Sequence, residues 1–434
     1  MALAHQTRGR RTQDTAERAL RHARPWLPIG GACGALLVAL FAGCNLMTGL
    51  SSIELTGDAG GNGSGATGSG AGAGTGAGTT TTSAAGGAGA GTTTAGGGSG
   101  ASGLAGGAGA GAGTPPPQCS PACGTHMHCE LGTLTCVCDP GFTQQGSACN
   151  PVAPGDPTTH TQPEVCQKWQ QGHVVTTPDA LVSNGQACDA GSLAQGALND
   201  TLTRINMFRW MAGLGPTGDD ASMDASAQKC ANLEAWYTWP SGGSPHQPAA
   251  GDSQCWTQEG ASTAGASNIA WGSGHPAQAM DQFVQDGGNS TTMGHRRWVL
   301  NPPLDPVGIG YWTGGGQYGD GMCLMVFSGG GSGPFPAWTA FPPPGYVPIE
   351  VAGWTWTFHG DDGNIANAQI SMLRVDDNAP LAVNVQSLYQ GYGQTATSWT
   401  PSGWSAQAGM TYRVTVAGLS SGNVVYDVKP VTCN

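Results

Sequence analysis

The chain has 434 residues, of which 74 are glycine and 10% are charged, against about 7% and about 25% in ordinary globular proteins. Acidic residues outnumber basic ones by 27 to 15, and six of the fifteen (Arg8, Arg10, Arg11, Arg18, Arg21 and Arg24) precede the first apolar run. Downstream of Cys44 the balance is 9 basic against 25 acidic residues, a formal charge of −16. That excludes nucleic acid as a partner, which needs a basic face against its phosphates, and equally excludes a membrane surface held by basic charge.

Residues 1–44 predict a lipoprotein signal peptide. The arginine-rich start leads into Ile29 to Gly43, about 15 apolar and small residues, shorter than the roughly 20 that a bilayer span needs. Leu40-Phe41-Ala42-Gly43-Cys44 resembles the bacterial lipobox, with a small residue before the cysteine and Phe41 departing from its usual pattern. The resemblance implies lipidation at Cys44 and attachment to a membrane through that anchor, with an extracytoplasmic location at the cell surface or in the periplasm. Fourteen cysteines less Cys33 and Cys44 leave an even twelve, suited to disulfides in an oxidising compartment. These are Cys119, Cys123, Cys129, Cys136, Cys138, Cys149, Cys166, Cys188, Cys230, Cys255, Cys323 and Cys433.

Twenty-five glycines crowd into residues 57 to 113, whereas thirteen of the fourteen tryptophans lie after residue 168. Residues 45–117 therefore read as a Gly/Ala/Ser/Thr-rich disordered tether, which cannot offset its ordering entropy by burial. Roughly 270 C-terminal residues can bury a core, enough for two domains. Over residues 118–150 the spacing Cys119-x3-Cys123-x5-Cys129-x6-Cys136-x-Cys138-x10-Cys149, with Asp139-Pro140-Gly141-Phe142, resembles an EGF-like module. That resemblance implies pairing of the first cysteine with the third, the second with the fourth and the fifth with the sixth. Pro and Gln precede Cys119 where calcium-binding modules of this type carry acids, so the expected role is a spacer or contact module.

A connecting segment, 151–195, leads to residues 196–332. Leu198, Leu202, Ile205, Phe208 and Ala212 recur at helical spacing, stopped by Gly213 and Pro216. Further helices are expected from near Ser222 to about Trp236, and from Pro276 to Gly287-Gly288. Strands are expected at Trp298 to Leu300, Val307 to Tyr311 and Met322 to Phe327. Helices followed by strands predict an α+β layered fold.

These residues resemble the CAP superfamily (cysteine-rich secretory proteins, antigen 5, pathogenesis-related 1), especially its bacterial members. Asn206, Phe208 and Arg209 look like its opening helix, Cys230-Ala231-Asn232-Leu233 its second, and Ser244-Pro245-His246 falls where its first histidine stands. Ala266-Ser267-Asn268-Ile269-Ala270 sits where Gly-Glu-Asn-Ile-Ala is usual, and Gly294-His295-Arg296-Arg297-Trp298 with Leu300-Asn301-Pro302 matches the Gly-His-Arg block. Val307-Gly308-Ile309-Gly310 matches the strand that follows.

The resemblance implies a CAP-type α-β-α sandwich with a groove where two histidines and one or two acids converge. It carries His246 and His295 over, and places Ser267, Asn268 and Arg296 in the groove beside them. Ser267 stands where the acid is usual. Two imidazoles and a carboxylate suit zinc, and here the third donor would have to be Glu259 or Asp286. Without one, the histidine pair could bind a divalent metal weakly or act as a general base. No nucleophile with an activating base is visible. Trp236, Tyr237, Trp239, Trp256, Trp271, Trp298 and Trp312 are candidates for stacking on a ligand, or simply for core packing.

Residues 335–434 predict an all-β immunoglobulin-like sandwich. Trp354 to Phe358, Ala368 to Val375, Leu381 to Val385, Thr411 to Val416 and Val424 to Val428 alternate apolar and polar residues. Tyr412 is a candidate tyrosine corner, and Cys433 a candidate partner for Cys323. The expectation for the whole is a lipid-anchored protein that binds a cell-wall component, lipid or protein through the CAP groove. The alternatives are a divalent-metal-assisted hydrolase centred on His246 and His295, and a structural or adhesive surface protein.

Overall fold

The computed structural model describes residues 119–433 apart from Pro121 and Leu131; the expected signal peptide, Cys44 and the tether lie outside the described residues. The first unit is two hairpins, β1 (Met127–Glu130) with β2 (Thr135–Cys138) and β3 (Phe142–Gln145) with β4 (Ala148–Pro151). Three disulfides hold it: Cys119–Cys129, Cys123–Cys136 and Cys138–Cys149. So few buried side chains cannot support a core, and the crosslinks take its place.

The segment after this module is structured. Its helix α1 (Gln162–Gly172) opens with a reciprocal cap between Thr161 and Glu164, and a short hairpin pairs β5 (Leu181–Val182) with β6 (Ser192–Leu193). Then come α2 (Gln195–Met211), α3 (Ala221–Ala235), α4 (Gln258–Ala264), β7 (Ser267–Ala270), α5 (Pro276–Gln285), α6 (Gly294–Val299), β8 (Gly308–Thr313) and β9 (Asp320–Met325).

The three strands form an antiparallel sheet in the order β7-β9-β8. Alternation along them assigns the two faces. Ile309, Tyr311, Met322 and Leu324 enter one core with Leu202, Ile205 and Phe208 of α2 and Met280, Phe283 and Val284 of α5. The opposite face meets α3, whose Cys230, Ala231 and Ala235 pack with Ile269, Trp312 and Cys323. Glycine is needed here because α3 lies almost on the sheet: a Cβ at Gly310 would sit 2.1 Å from the Ala227 carbonyl. Cys230–Cys323 fastens that helix to β9. This is the expected α-β-α sandwich.

The last hundred residues form a β-sandwich. They comprise β10 (Trp338–Phe341), β11 (Gly345–Pro348), a one-turn helix α7 (Ile349–Ala352), β12 (Trp356–Gly360), β13 (Gln369–Arg374), β14 (Ala379–Leu381), β15 (Val383–Ser387), β16 (Thr395–Pro401), β17 (Tyr412–Ala417) and β18 (Val424–Val431). The four-stranded sheet runs β10-β12-β16-β15 and the five-stranded one β11-β18-β17-β13-β14. Trp356, Phe358, Trp399, Tyr412, Val414 and Val428 fill the space between them. The strand expected over Leu381 to Val385 is two strands, β14 and β15, one in each sheet. Tyr412 is fully buried, and its hydroxyl accepts the backbone N–H of Gln407 at 2.8 Å, as a tyrosine corner does. Phe341 and Val351 belong to the same core as α2 and α5, so the two domains share apolar packing.

Two sequence expectations are corrected. Trp298 to Leu300 is no strand: Trp298 and Val299 end α6 and Leu300 caps it. A short apolar run does not distinguish strand from buried helix, and here Met293, Arg296, Arg297 and Leu300 are all buried at helical spacing. Cys433 does not pair with Cys323; it pairs with Cys166, and Cys188 pairs with Cys255. Among the described residues no helix is long and apolar enough to cross a membrane.

The Cys166–Cys433 bridge spans 267 residues, and a crosslink closing so long a loop removes much entropy from the unfolded chain. Replacing both cysteines by serine is expected to lower the unfolding free energy by roughly 3 to 5 kcal/mol, measured by guanidinium titration of both forms. An unchanged midpoint would mean that the packing of α1 against β11 alone holds this junction.

Candidate functional site

Asn268, His246, Asn289 and His295 line one small cavity, with Ser267, Gly265 and Gly294 beside them and Trp298, Val326 and Phe327 along a wall. Its volume is about 20 Å³, enough for roughly one water molecule. Four elements converge on it. Asn268 comes from β7, held between α4 and β9, and its amide donates to the His295 carbonyl at 3.0 Å. The Ser267 hydroxyl instead donates to Thr263 at 2.8 Å, inside its own turn.

His246 arrives on the long loop between α3 and α4. Its Nδ1–H donates to the Ala264 carbonyl at 3.0 Å, which leaves Nε2 unprotonated, an acceptor. Burial of the ring lowers its pKa from the ordinary 6.5 to about 4, partly offset by the Ala264 bond and reinforced by the nearby His295. This imidazole is neutral at physiological pH.

His295 follows from the ends of two helices. α5 starts on His275, whose Nδ1 accepts the Ala277 N–H while Pro276 follows as the first helical residue. It stops at Asp286, a left-handed residue with φ of 53°, and Met293, with φ of 47°, opens α6. Two non-glycine residues in this conformation bracket the loop 287–292, and such backbone is costly and concentrates at functional sites.

The loop places Asn289 between Asp286 and His295. Asn289 Nδ2 donates to Asp286 Oδ1 at 2.8 Å and lies 2.8 Å from His295 Nδ1, which is itself 3.1 Å from the same carboxylate oxygen. Asp286 and Asn289 thus both stand at the Nδ1 edge of the His295 ring and fix its orientation. The two histidines differ in their support: a backbone carbonyl fixes His246, and a carboxylate and an amide fix His295.

The residues expected from sequence divide accordingly. His246, His295, Asn268 and Ser267 share the cavity, and Asp286 stands behind His295. Glu259 does not join them. It is exposed on α4, bound to Lys229 and Ser226, because its helix turns that face to solvent. Arg296 is not in the groove either. The next position on α6 points the other way, and its fully buried guanidinium donates to the carbonyls of Val284, Gln285 and Thr355 and to the Thr357 hydroxyl. Asn289, Phe327 and Tyr392 are cavity residues the sequence reading did not name as candidates, and Trp298 is the one candidate aromatic that reaches it. Trp298 and Phe327 pack with ring centroids 4.6 Å apart, and Phe327 is half exposed. Of the other candidate aromatics, Trp236 meets Trp312, Tyr237 packs on Trp239, and Trp239 and Trp271 pack with Tyr318, none of them lining the cavity.

A three-donor zinc centre does not fit this arrangement. Among the described residues the one set of three metal-type donor atoms within 4.8 Å of one another is Cys119, Cys123 and Cys136, whose sulfurs are all in disulfides. Asp286 is engaged behind His295 and Glu259 is elsewhere, so the histidine pair lacks its third ligand.

A pH consequence follows from His246. Its folded-state value, about 4, lies below the ordinary 6.5, so between these limits the unfolded chain binds the proton and the folded one does not. Stability contributed by the neutral ring is complete above about pH 6.5 and falls away as the pH drops towards 4. The unfolding free energy of wild type minus His246→Gln should shrink over that range by an amount on the order of 3 kcal/mol, followed by urea melts at several pH values. An imidazole resonance titrating near pH 6.5 would contradict the burial argument.

Comparison with known proteins bears on the region that builds this cavity. No curated protein and no solved structure matches the chain significantly. A family model does: that of the cysteine-rich secretory protein family, CAP, over residues 202–327. That range runs from within α2 to just past β9 and contains both histidines, so this part of the chain is a CAP domain.

Proposed function

We propose that this is an extracytoplasmic, lipid-anchored binding protein that takes a ligand or cell-surface component into the CAP groove. The observation that carries the reading is the makeup of the cavity: an unprotonated acceptor on His246, the His295 ring and the polar side chains of Asn268 and Asn289 meet beside the apolar Trp298 and Phe327. Such a surface suits a ligand with one small hydrogen-bonding group, such as a hydroxyl, next to an apolar portion. A cell-wall component or a lipid has this character; so does an exposed protein side chain. Six disulfides that use all twelve described cysteines support an oxidising compartment. Attachment through Cys44 rests on the lipobox resemblance alone. Hydrolysis is the weaker reading, since the histidine pair has no third metal ligand in Asp286 or Glu259.

The test is a protein-observed NMR titration with decanoate, decanol and N-acetylglucosamine. At least one of these is expected to shift the signals of Asn268, Asn289, His295 and Trp298. His295→Ala is expected to weaken that binding about tenfold or more, the loss of roughly 1.4 kcal/mol or more of hydrogen bonding, with the melting temperature retained. If no probe moves those signals, the groove is not a binding site of this kind.

A further inference from the structure

The CAP domain does not close its own cavity. One residue lining it, Tyr392, belongs to the β-sandwich and lies in the loop between β15 and β16. The shoulders of that loop are fixed. Arg297 donates to the carbonyls of Tyr389 and Gln394, both at 2.7 Å, and to the Gln390 side chain at 3.2 Å. The Tyr389 N–H donates to the Thr291 carbonyl at 2.9 Å, and Leu388 packs with Met293 and Ala396.

The tip is built differently. Tyr392 sits between Gly391 and Gly393, at φ of 96° and 69°, conformations in which glycine turns freely and other residues do not. A Cβ at Gly391 would touch nothing within 4 Å. The Tyr392 ring reaches across to the residue before His295: a Cβ on Gly294 would lie 2.8 Å from it. The Arg297 guanidinium stands 5.7 Å from its centroid.

We propose that Tyr392 is the specificity-determining residue of the histidine cavity, a ring hinged between two glycines that sets the size of what enters. The inference rests on the cavity being the binding site. With the ring in place, about 20 Å³ accepts a group of one or two heavy atoms, such as the hydroxyl end of a ligand whose apolar part stays on Trp298 and Phe327. A bulkier head group enters only when the ring swings out about Gly391 and Gly393. The β-sandwich is then part of the site, although no catalytic or binding signature marks it in the sequence.

Access can be read without any ligand, by diethyl pyrocarbonate labelling of the full chain with peptide-resolved mass spectrometry. Wild type is compared with Tyr392→Ala, Tyr392→Phe and Tyr392→Trp, and buried His359 and His275 serve as internal references. Tyr392→Ala is expected to raise the labelling rates of His295 and His246 by about fivefold or more, because opening of the cover limits access. Tyr392→Phe should match wild type, and neither reference should change. Equal rates in Tyr392→Ala and wild type would overturn the proposal. If the references rise too, the Ala variant has loosened as a whole and Tyr392→Trp decides: slower labelling of His295 supports the gate, and no change overturns it. Labelling is independent of ligand binding, so an unresponsive NMR titration beside a positive labelling result would reject the binding reading, and with it the specificity role, while showing that Tyr392 covers the cavity.

Discussion

The architecture depends on burying guanidinium groups while meeting most of their hydrogen bonds, Arg297 Nε being left without a partner. Arg296 and Arg297 are at most 1% exposed, and stripping water from such a cation is expensive unless its donors are met. Desolvation lowers Arg296 to about 10, which still leaves it charged at physiological pH. Its compensation comes from the end of α5 and from the start of β12, and that of Arg297 comes from the loop preceding α6 and from the loop carrying Tyr392. Two consecutive side chains on a six-residue helix therefore lock the CAP domain to the β-sandwich, while the residue just before them, His295, faces the cavity. Arg209 works within the CAP domain, holding from α2 the carbonyls of Val299, Asn301 and Pro302. Asp286 serves both ends of the arrangement: it accepts the Arg296 N–H at 3.2 Å and the Asn289 amide at 2.8 Å. The site geometry and the domain junction are consequently one hydrogen-bonded unit.

The parts of this that could be read in the sequence are those written in local periodicity. Leu198, Leu202, Ile205 and Phe208 mark α2 because one face of a long helix repeats every three to four residues. The strand alternation around Ile309 and Met322 was equally plain. α6 was not, because six residues complete less than two turns and Trp298-Val299-Leu300 is as apolar as a strand. Arg296 was misplaced for a chemical reason. An arginine beside a motif histidine suggests a ligand contact, and only tertiary structure reveals that it is fully buried among backbone carbonyls.

The acid beside the histidines shows the same limit. Glu259 and Asp286 were equal candidates by residue type, and what separates them is direction: one leans on Lys229 in solvent, the other is held by a left-handed turn under His295. Tyr392 lies about a hundred residues beyond His295, in a segment whose Gly-Tyr-Gly composition announces only a turn. The partner of Cys433 was likewise beyond reach, since six scattered cysteines allow 15 pairings and nothing local distinguishes them.

The bridge between Cys166 and Cys433 has a consequence for how the body would survive outside a cell. It makes the helix before the CAP domain and the strand closing the β-sandwich the two sides of one covalent ring, and Cys188–Cys255 and Cys230–Cys323 lie inside it. A protease that cuts one exposed loop between residues 166 and 433 opens the ring but releases no fragment. Both pieces stay joined through sulfur, and the cut molecule keeps the shared packing that holds the cavity together. Losing a piece of the body would therefore take a second cut within the ring.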